Sequence, residues 1–381
     1  MQRLPSELIL EIAECLGIQT NINHFAQVNR RLYALINPYL YRENASIFGS
    51  TALLWAARHG NLSTTRFALE QGADTSLTDE SGLTPLSLAC LHGQAGVVAA
   101  LLRAQPEIDL NRGDEQLRKT PLSLAAACGH AEIVKLLLSK ELLDPNTTDV
   151  YGRSALWCAA FRGRAAVVRM LLTHPRVELN LVDDTTWTPL QCAAPAGHNV
   201  IVELLLTSGT DLDCRDIFWR TPLIWAACNG HTESVDVLLR HGANAEARDR
   251  FCRTPLSFAA ANGHTAAMER LLRESAMEKD LRDLDGRTPL SWAASRGHEN
   301  VVRLLVSAGA AVNLRDNYGW TPLSYAIVEL RKNAAYSLCS SQIPLDFSAA
   351  ERHCRLRADG KRGDLFKRWM LLWSLRVAWV S

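Results

Sequence analysis

Histidine and cysteine are the residues of this sequence whose side chains could bind a metal ion or attack a substrate. The sequence contains 11 histidines and 10 cysteines. Residues that recur at a fixed interval occupy equivalent places in successive structural units, so they do not converge on one site. We therefore expect each recurring histidine to form a hydrogen bond near its own inter-helix turn. Five histidines directly follow a glycine and are separated by multiples of about 33 residues: His130, His198, His231, His264 and His298.

The spacing of these side chains matches no metal or catalytic motif. The sequence has no C-x-x-C, H-x-x-x-H or H-E-x-x-H, the spacings that place two ligands on one metal ion. It also lacks the G-x-S-x-G motif of serine hydrolases and the glycine-rich loop of nucleotide-binding proteins. We therefore predict no catalytic residue, no metal site and no cofactor.

Most of the cysteines lie within apolar segments, where reduced thiols behave as small hydrophobic residues. This usage predicts a reducing compartment, the cytoplasm or the nucleus. The composition is that of a folded protein, with 48% hydrophobic and 21% charged residues and a net charge of +1. A balanced charge gives no basic face for nucleic acid. No apolar run reaches the roughly 18 residues of a membrane span.

A repeated Thr-Pro-Leu tripeptide organises the sequence. Aligning on it gives nine starts that are 33 to 36 residues apart: Thr51, Thr84, Thr120, Ser154, Thr188, Thr221, Thr254, Thr288 and Thr321. The threonine can cap a helix that accepts proline in its first turn. A glycine nine residues later ends this helix in a left-handed conformation. A second apolar helix follows, and in most units an aspartate five residues before the next threonine opens a tight turn.

Units such as TPLSLAAACGHAEIVKLLL and TPLIWAACNGHTESVDVLL resemble the ankyrin-repeat family, whose unit has 33 residues and a T-P-L-H-x-A pattern. The resemblance covers residues 49–347. It implies an all-α solenoid of about nine helix-turn-helix units with short turn fingers. Ankyrin repeats bind partner proteins along a strip formed by the turn tips and the adjoining first helices. Pro195 falls late in the first helix of the fifth unit, where we expect it to distort that turn. The ninth unit lacks the glycine, so we expect it to be a terminal cap.

By analogy with the family, the variable positions of this strip predict a partner-binding surface rich in aromatic residues and arginine. Both types are enriched at interface hot spots. The alternative is that the finger aromatics link neighbouring repeats to one another. We expect Trp55, Trp225 and Trp292, four residues after each threonine, to be core. The predicted partner-binding residues are Tyr151, Arg153, Phe161, Arg162, Trp187, Phe218, Arg220, Phe251, Arg253, Tyr318 and Trp320.

Residues 1–45 precede the repeats and read as two amphipathic helices. LPSELILEIAECL followed by FAQVNRRLYALINPYLY resembles the F-box, a small helical module that docks on the adaptor subunit of SCF-type ubiquitin ligases. The alternative is a helical cap for the solenoid, which repeat proteins need. The resemblance assigns adaptor binding to Leu4, Pro5, Leu8, Ile9, Ile12 and Leu16.

Residues 348–381 form a basic tail, with eight Lys or Arg and three Asp or Glu from residue 351 onward. Four interpretations stay open: an interfacial helix, a docking peptide, a helix that packs on the last repeat, or an ill-defined tail that results from an imperfect gene model. For the whole chain, the resemblances imply a non-catalytic substrate receptor of an SCF-type ligase. The alternative is an ankyrin scaffold or transcriptional co-regulator without a ligase role.

Overall fold

The computed structural model of the protein describes residues 51–274, 277–339, 345–356, 370–372 and 374. The F-box-like module predicted for residues 1–45 lies outside these residues, as does most of the basic tail. Helices and turns account for the regular structure of the described residues, which contain no strand. The all-α prediction is therefore confirmed for this part of the chain. None of its helices is long and apolar enough to cross a bilayer.

The described helices come in pairs, and each pair begins at or directly after one of the nine aligned threonine or serine positions. A single further helix, α19 (Phe347–Leu356), follows the last pair. The pairs are α1 (Thr51–His59) and α2 (Leu62–Glu70), α3 (Pro85–Leu91) and α4 (Ala95–Ala104), α5 (Pro121–Cys128) and α6 (Ala131–Leu138), α7 (Ala155–Phe161) and α8 (Ala165–Leu172), α9 (Pro189–Ala193) and α10 (Asn199–Thr207), α11 (Pro222–Cys228) and α12 (Thr232–Arg240), α13 (Pro255–Asn262) and α14 (Thr265–Leu272), α15 (Pro289–Arg296) and α16 (Glu299–Ser307), and α17 (Pro322–Val328) and α18 (Lys332–Cys339).

The start of each first helix follows from its sequence. Thr254 has an extended backbone, and its hydroxyl oxygen accepts a hydrogen bond from the N–H of Ser257 at 3.2 Å. This satisfies one of the N–H groups that a helix start leaves unpaired. Pro255 occupies the first helical position, where its missing N–H is not needed. The same cap recurs in every pair from Thr84 onward.

The chain forms two compact units, one that ends at Leu181 and one that begins at Val182. Within each unit the first helices of successive pairs contact one another, and so do the second helices. Small residues let the first helices approach closely: Ala125 and Ala126 of α5 are fully buried. The second helices contribute larger apolar pairs, such as Val301 and Val302 of α16. Because each pair buries its apolar faces only against its neighbours, the core runs along the stack.

Pro195 has the expected effect on its helix. Helix α9 has five residues, whereas the other first helices have seven to nine. Proline lacks the N–H that would continue the helix. The carbonyl of Pro195 accepts hydrogen bonds from Asn229 and His231 of the following pair, at 2.8 and 2.9 Å, as the equivalent carbonyl does in other pairs.

The ninth pair is not the end of the stack. Helix α19 packs on α17, in the place that the first helix of a further repeat would take, and all seven residues of α17 are buried. Leu371 and Leu372 are buried as well, and the hydroxyls of Tyr336 and Ser374 are hydrogen-bonded at 3.1 Å. The expectation that the ninth unit is the terminal cap was therefore wrong, because the chain after it continues onto the same stack.

Candidate partner-binding surface

The loop before each capping threonine forms a short finger, defined here as the five residues that precede the threonine. In every described finger except 115–119, the first residue is an aspartate whose Oδ1 atom accepts two backbone N–H groups of the same loop. In the finger 216–220, Asp216 binds the N–H of Phe218 at 2.8 Å and that of Arg220 at 2.9 Å. Fingers 149–153, 249–253, 283–287 and 316–320 have the same pattern. Each finger is therefore held in one conformation before any partner binds.

The fourth residue of every finger has a left-handed backbone. Glycine adopts this conformation readily. The fourth residue is glycine in four fingers, those that end at Leu83, Arg153, Arg287 and Trp320. The other fingers place a larger residue there, and in the finger 216–220 it is Trp219, with φ of 63°. Trp219 is 56% exposed. The sequence reasoning missed this residue, although the absence of glycine at the position was a visible signal.

The third residue of the finger carries the exposed tip. The predicted residues Tyr151, Phe218, Phe251 and Tyr318 occupy this position and are 49%, 40%, 45% and 65% exposed. Ile217, which also falls at a variable position of the strip, is exposed, and Trp219 and Leu284 add exposed apolar surface that the sequence reasoning did not assign. Phe161 and Arg162, at the end of α7, are also exposed. The tips therefore present large side chains to solvent.

The last residue of the finger lies lower, against the first helices. The Arg220 guanidinium lies 4.7 Å from the centre of the Trp225 ring and 5.3 Å from that of Phe258 in the next pair. Trp187 packs against Trp225 in the same way, with ring centres 5.1 Å apart. Arg153, Arg253 and Trp320 make comparable contacts with Trp157, Phe258 and Tyr325. These five predicted residues therefore belong to contacts within or between the repeats, as the alternative interpretation proposed.

The tryptophans expected in the core do not lie there. Trp55, Trp225 and Trp292 are only partly buried, because the first helices expose this position along the finger side. The faces of Trp225 and Trp292 are covered by Arg220 and Arg287 instead of by apolar residues. Their indole Nε1 atoms bind finger aspartates. These rings are the floor of the candidate surface.

Each finger aspartate has a second oxygen, Oδ2. The hydrogen-bond donor to this oxygen depends on the type of the residue that lies four positions after the capping threonine. Where that residue is tryptophan, the indole donates to Oδ2: Trp225 binds Asp216 at 3.0 Å and Trp292 binds Asp283 at 2.9 Å. Where it is Phe258, which has no donor, Arg253 binds Asp249 at 2.8 Å. Aromatic donors and finger arginines therefore compete for the same carboxylate oxygens.

Burial and these hydrogen bonds shift the pKa values of two side chains at this surface, Asp283 and Tyr325. Burial raises the pKa of Asp283 above its ordinary value, although the hydrogen bonds from the Trp292 indole and from the finger N–H groups act in the opposite direction. Tyr325 donates its hydroxyl to Asp316. Burial and this hydrogen bond raise the pKa of Tyr325, which keeps its phenol protonated.

The recurring histidines link one pair to the next. Nε2 of His264 donates to the carbonyl of Cys228 at 2.9 Å, and His130, His231 and His298 reach the preceding pair in the same way. Gln94, Arg164 and Arg331 replace the histidine in their pairs and form the equivalent bond. A turn hydrogen bond was expected, but it joins two pairs and is not local to one. Among the described residues, no three His, Cys, Asp or Glu side chains converge on a possible metal site.

The described cysteines are free thiols. Burial raises the pKa of Cys158 to about 11 and that of Cys214 to about 12. A raised pKa keeps a thiol protonated and unreactive at neutral pH. These cysteines therefore act as packing residues.

The family model for ankyrin repeats (3 copies) matches residues 24–114, 108–183, 174–249, 190–283 and 256–348. The protein is a member of the ankyrin-repeat family. Membership indicates a protein–protein interaction module. The finger tips and the half-buried rings below them then form the candidate binding surface of these ankyrin repeats.

Curated relatives share the repeat but little else of their length. The chain is similar to the ankyrin repeat protein FPV031 of fowlpox virus, 31% identical over 28% of this chain and 31% of the relative. It is also similar to the photoreceptor ankyrin repeat protein of Homo sapiens, with 39% identity over 23% of this chain and 20% of the relative. Neurogenic locus notch homolog protein 1 of Xenopus tropicalis is 35% identical over 29% of this chain and 4% of its own length. These matches therefore span less than a third of each relative.

Proposed function

We propose that this ankyrin-repeat protein is the substrate receptor of an SCF-type ubiquitin ligase. Residues 1–45 bind the adaptor subunit, and the finger surface of the repeats selects the substrate. The observation that carries the proposal is the F-box-like sequence LPSELILEIAECL directly before a family of repeats that bind proteins. Ubiquitin transfer takes place on other subunits, so the chain itself needs no catalytic residue. We place it in the cytoplasm or the nucleus.

The finger surface supports substrate selection. The tips expose aromatic side chains on loops that the aspartates already hold in place. A preformed loop loses little conformational entropy when a partner binds, so more of the contact energy appears as affinity. Exposed aromatic residues on such loops are typical anchors of protein interfaces.

The test is a titration of purified adaptor into the full chain by calorimetry. Leu8 and Ile12 lie on the apolar side of the helix that the spacing predicts, so Leu8→Asp/Ile12→Asp places two charges in the contact. Ser6→Asp/Leu10→Asp adds the same charge with the same spacing on the other side of the predicted helix and is the matched control. We expect the parent and the control to bind the adaptor and the first variant to lose at least a hundredfold in affinity. Equal binding by all three proteins rejects adaptor docking through this module.

The second candidate function is a scaffold or transcriptional co-regulator without a ligase role. The first ankyrin match begins at residue 24, which favours a first repeat or helical cap within residues 1–45. In that case Leu8→Asp/Ile12→Asp lowers the melting temperature of the repeats, and the parent chain does not bind the adaptor.

A further inference from the structure

A cavity of about 470 Å³ opens on the finger side between α15 and α17 of the second unit. Its wall combines three arginines with the rings below two fingers. Glu329 also lines the cavity and brings the one carboxylate of the set. The arginines and the principal rings are Arg287, Arg296, Arg331, Trp292, Trp320 and Tyr325.

Arg287 is one of the three arginines of this wall, and it has no carboxylate partner among the described residues. The Oδ2 atom of its own finger aspartate, Asp283, is taken by the indole of Trp292 at 2.9 Å. The Oδ2 atom of the next finger aspartate, Asp316, accepts a hydrogen bond from the hydroxyl of Tyr325. The Nε atom of Arg287 is buried and has no hydrogen-bond acceptor in the described part of the chain.

The equivalent arginines of the earlier fingers in this unit are paired. Arg253 binds Asp249 at 2.8 Å, and the Nε atom of Arg220 forms a longer ion pair with the same Asp249 at 3.9 Å, although this atom, like Nε of Arg287, is buried without a hydrogen-bond acceptor among the described residues. This difference follows from Phe258, which lacks a donor and leaves Asp249 to the arginines. Arg287 therefore keeps an unneutralised charge where its neighbours do not.

The rings hold Arg287 in place. Its guanidinium lies 4.8 Å from the centre of the Trp292 ring and 4.5 Å from that of Tyr325. A guanidinium held between two rings is ordered before a ligand arrives and retains its hydrogen-bond donors for an anion. Arg296 is exposed and makes no ion pair with a described residue. Arg331 is fixed by its hydrogen bond to the carbonyl of Ser295 at 3.3 Å.

We propose that this cavity binds the carboxylate of an aspartate or glutamate in an extended acidic segment of the partner protein. The proposal rests on the role of the repeats in protein binding that was proposed above. Arginines bind carboxylates through paired hydrogen bonds, and the rings accept the apolar neighbours of the acidic residue. An anion entering the cavity supplies the charge partner that Asp283 and Asp316 do not give to Arg287.

The test begins with selection of a displayed random 12-residue peptide library on the purified full chain. We expect the enriched peptides to share an aspartate or glutamate. Labelled copies are then titrated against the variants by fluorescence polarisation. Arg287→Met keeps the stem between the rings and removes the charge, so affinity falls at least tenfold.

Trp292→Phe is the sharper variant, because it keeps a ring but removes the indole donor. Asp283 is then free to pair with Arg287, as Asp249 does with Arg253, so affinity falls although the arginine and an aromatic ring both remain in the wall. Trp157→Phe also replaces a tryptophan by phenylalanine, but the indole Nε1 atom of Trp157 has no hydrogen-bond partner among the described residues, so this variant is the matched control, with unchanged affinity. Melting curves confirm that all variants are folded.

Three results overturn the proposal: no enrichment over an empty support, enriched peptides without a shared acidic residue, or equal affinity for Arg287→Met and the parent. Selection that succeeds only with a phosphoserine-containing library overturns the carboxylate assignment. The adaptor takes no part in this test, so failure here leaves the ligase proposal standing. Loss of adaptor binding likewise leaves the cavity result unaffected.

Discussion

The Oδ2 atom of Asp283 accepts the indole N–H of Trp292 at 2.9 Å, although Arg287 lies four residues from Asp283. In the neighbouring finger, Asp249 binds Arg253 instead. The two fingers have the same backbone hydrogen bonds. One side chain below the finger, Trp292 or Phe258, therefore decides whether the arginine is neutralised.

This relationship predicts unequal effects of removing the two arginines. Arg253→Met deletes a partly buried ion pair, so we expect the free energy of unfolding to fall by about 1.5 kcal/mol. Arg287→Met deletes no pair, and its stem stays between the rings, so we expect a change within about 0.5 kcal/mol. Urea unfolding of the two variants measures both values. Equal losses contradict the competition for aspartate oxygens.

Alanine substitutions of Phe218 and Trp187 should have different effects: the first on partner binding and the second on stability. Phe218 is exposed at a tip, so Phe218→Ala should weaken partner binding by tenfold or more, with less than about 0.5 kcal/mol lost in stability. Trp187 packs on Trp225, so Trp187→Ala should cost about 2 kcal/mol of stability through lost ring contact and burial. Melting curves taken with binding curves for the isolated partner distinguish the two. A Phe218→Ala protein that binds as tightly as the parent rejects the tip as an anchor.

Trp219 holds a strained conformation that a binding role explains. A left-handed backbone costs a residue other than glycine about 1–2 kcal/mol, whereas glycine adds about 0.5–1 kcal/mol of unfolded-state entropy. Trp219→Gly should therefore raise the free energy of unfolding by about 0.5 kcal/mol and still weaken partner binding. Ile217→Gly, in the same finger but without a positive φ, should lower the free energy of unfolding instead. A destabilised Trp219→Gly protein with full binding contradicts this account.

Alanine substitutions at two glycines distinguish the free-energy cost of backbone strain from that of steric contact. Gly230 and Gly242 have φ of 74° and 89°, so alanine at either position costs about 1 kcal/mol of strain. A Cβ atom at Gly230 would lie 2.4 Å from Nδ1 of His264, whereas Gly242 has no heavy atom within 4 Å of that point. Gly230→Ala should cost about 1–2 kcal/mol more, because His264 then loses its bond to Cys228. Equal unfolding free energies would show that the histidine contributes nothing.

The lowered pKa of Asp236 predicts that the free energy of unfolding depends on pH. The hydrogen bond from Arg270 at 2.6 Å, helped by Arg240, lowers the pKa of Asp236. A carboxyl group with a lowered folded pKa stabilises the fold above its unfolded pKa, and this contribution is lost as the pH falls through the folded value. Because the pair is exposed, the contribution is at most about 1 kcal/mol.

Asp236→Asn should accordingly be less stable than the parent at pH 7 in low salt. The difference should disappear in acid, where the parent carboxylate is protonated. Asp184→Asn, at an exposed position without an ion pair to a described residue, is the control. A difference that persists unchanged at low pH would assign the effect to something other than the charge.

The sequence was sufficient to predict the repeated helix pairs, because Thr254, Pro255 and Gly263 act through local backbone preferences. It was also sufficient to predict the exposed tips, such as Phe251. The partner of each aspartate oxygen was not predictable, because it depends on a side chain nine residues later, as in the pair of Asp283 and Trp292. A helix that packs on the last repeat was one of the open interpretations of the tail, and α19 packs on α17 in this way. The sequence alone did not decide between the interpretations, because this packing is a tertiary contact that no local pattern encodes.

The position of Trp225 was misjudged because an aromatic residue inside an apolar helix predicts burial by composition alone. Its indole has a polar edge that binds Asp216 and a face that accepts Arg220. A ring with both contacts is stable while partly exposed, since neither its N–H nor its face is left unsatisfied.

Affinity purification of the tagged full chain from cells, followed by mass spectrometry, tests the central claim most directly. The parent should recover the SCF adaptor, the cullin and at least one further protein. Phe218→Ala should retain adaptor and cullin but lose the further protein, whereas Leu8→Asp/Ile12→Asp should do the reverse. Recovery of partner proteins by the parent without adaptor or cullin would contradict the ligase account and leave the repeats as a scaffold.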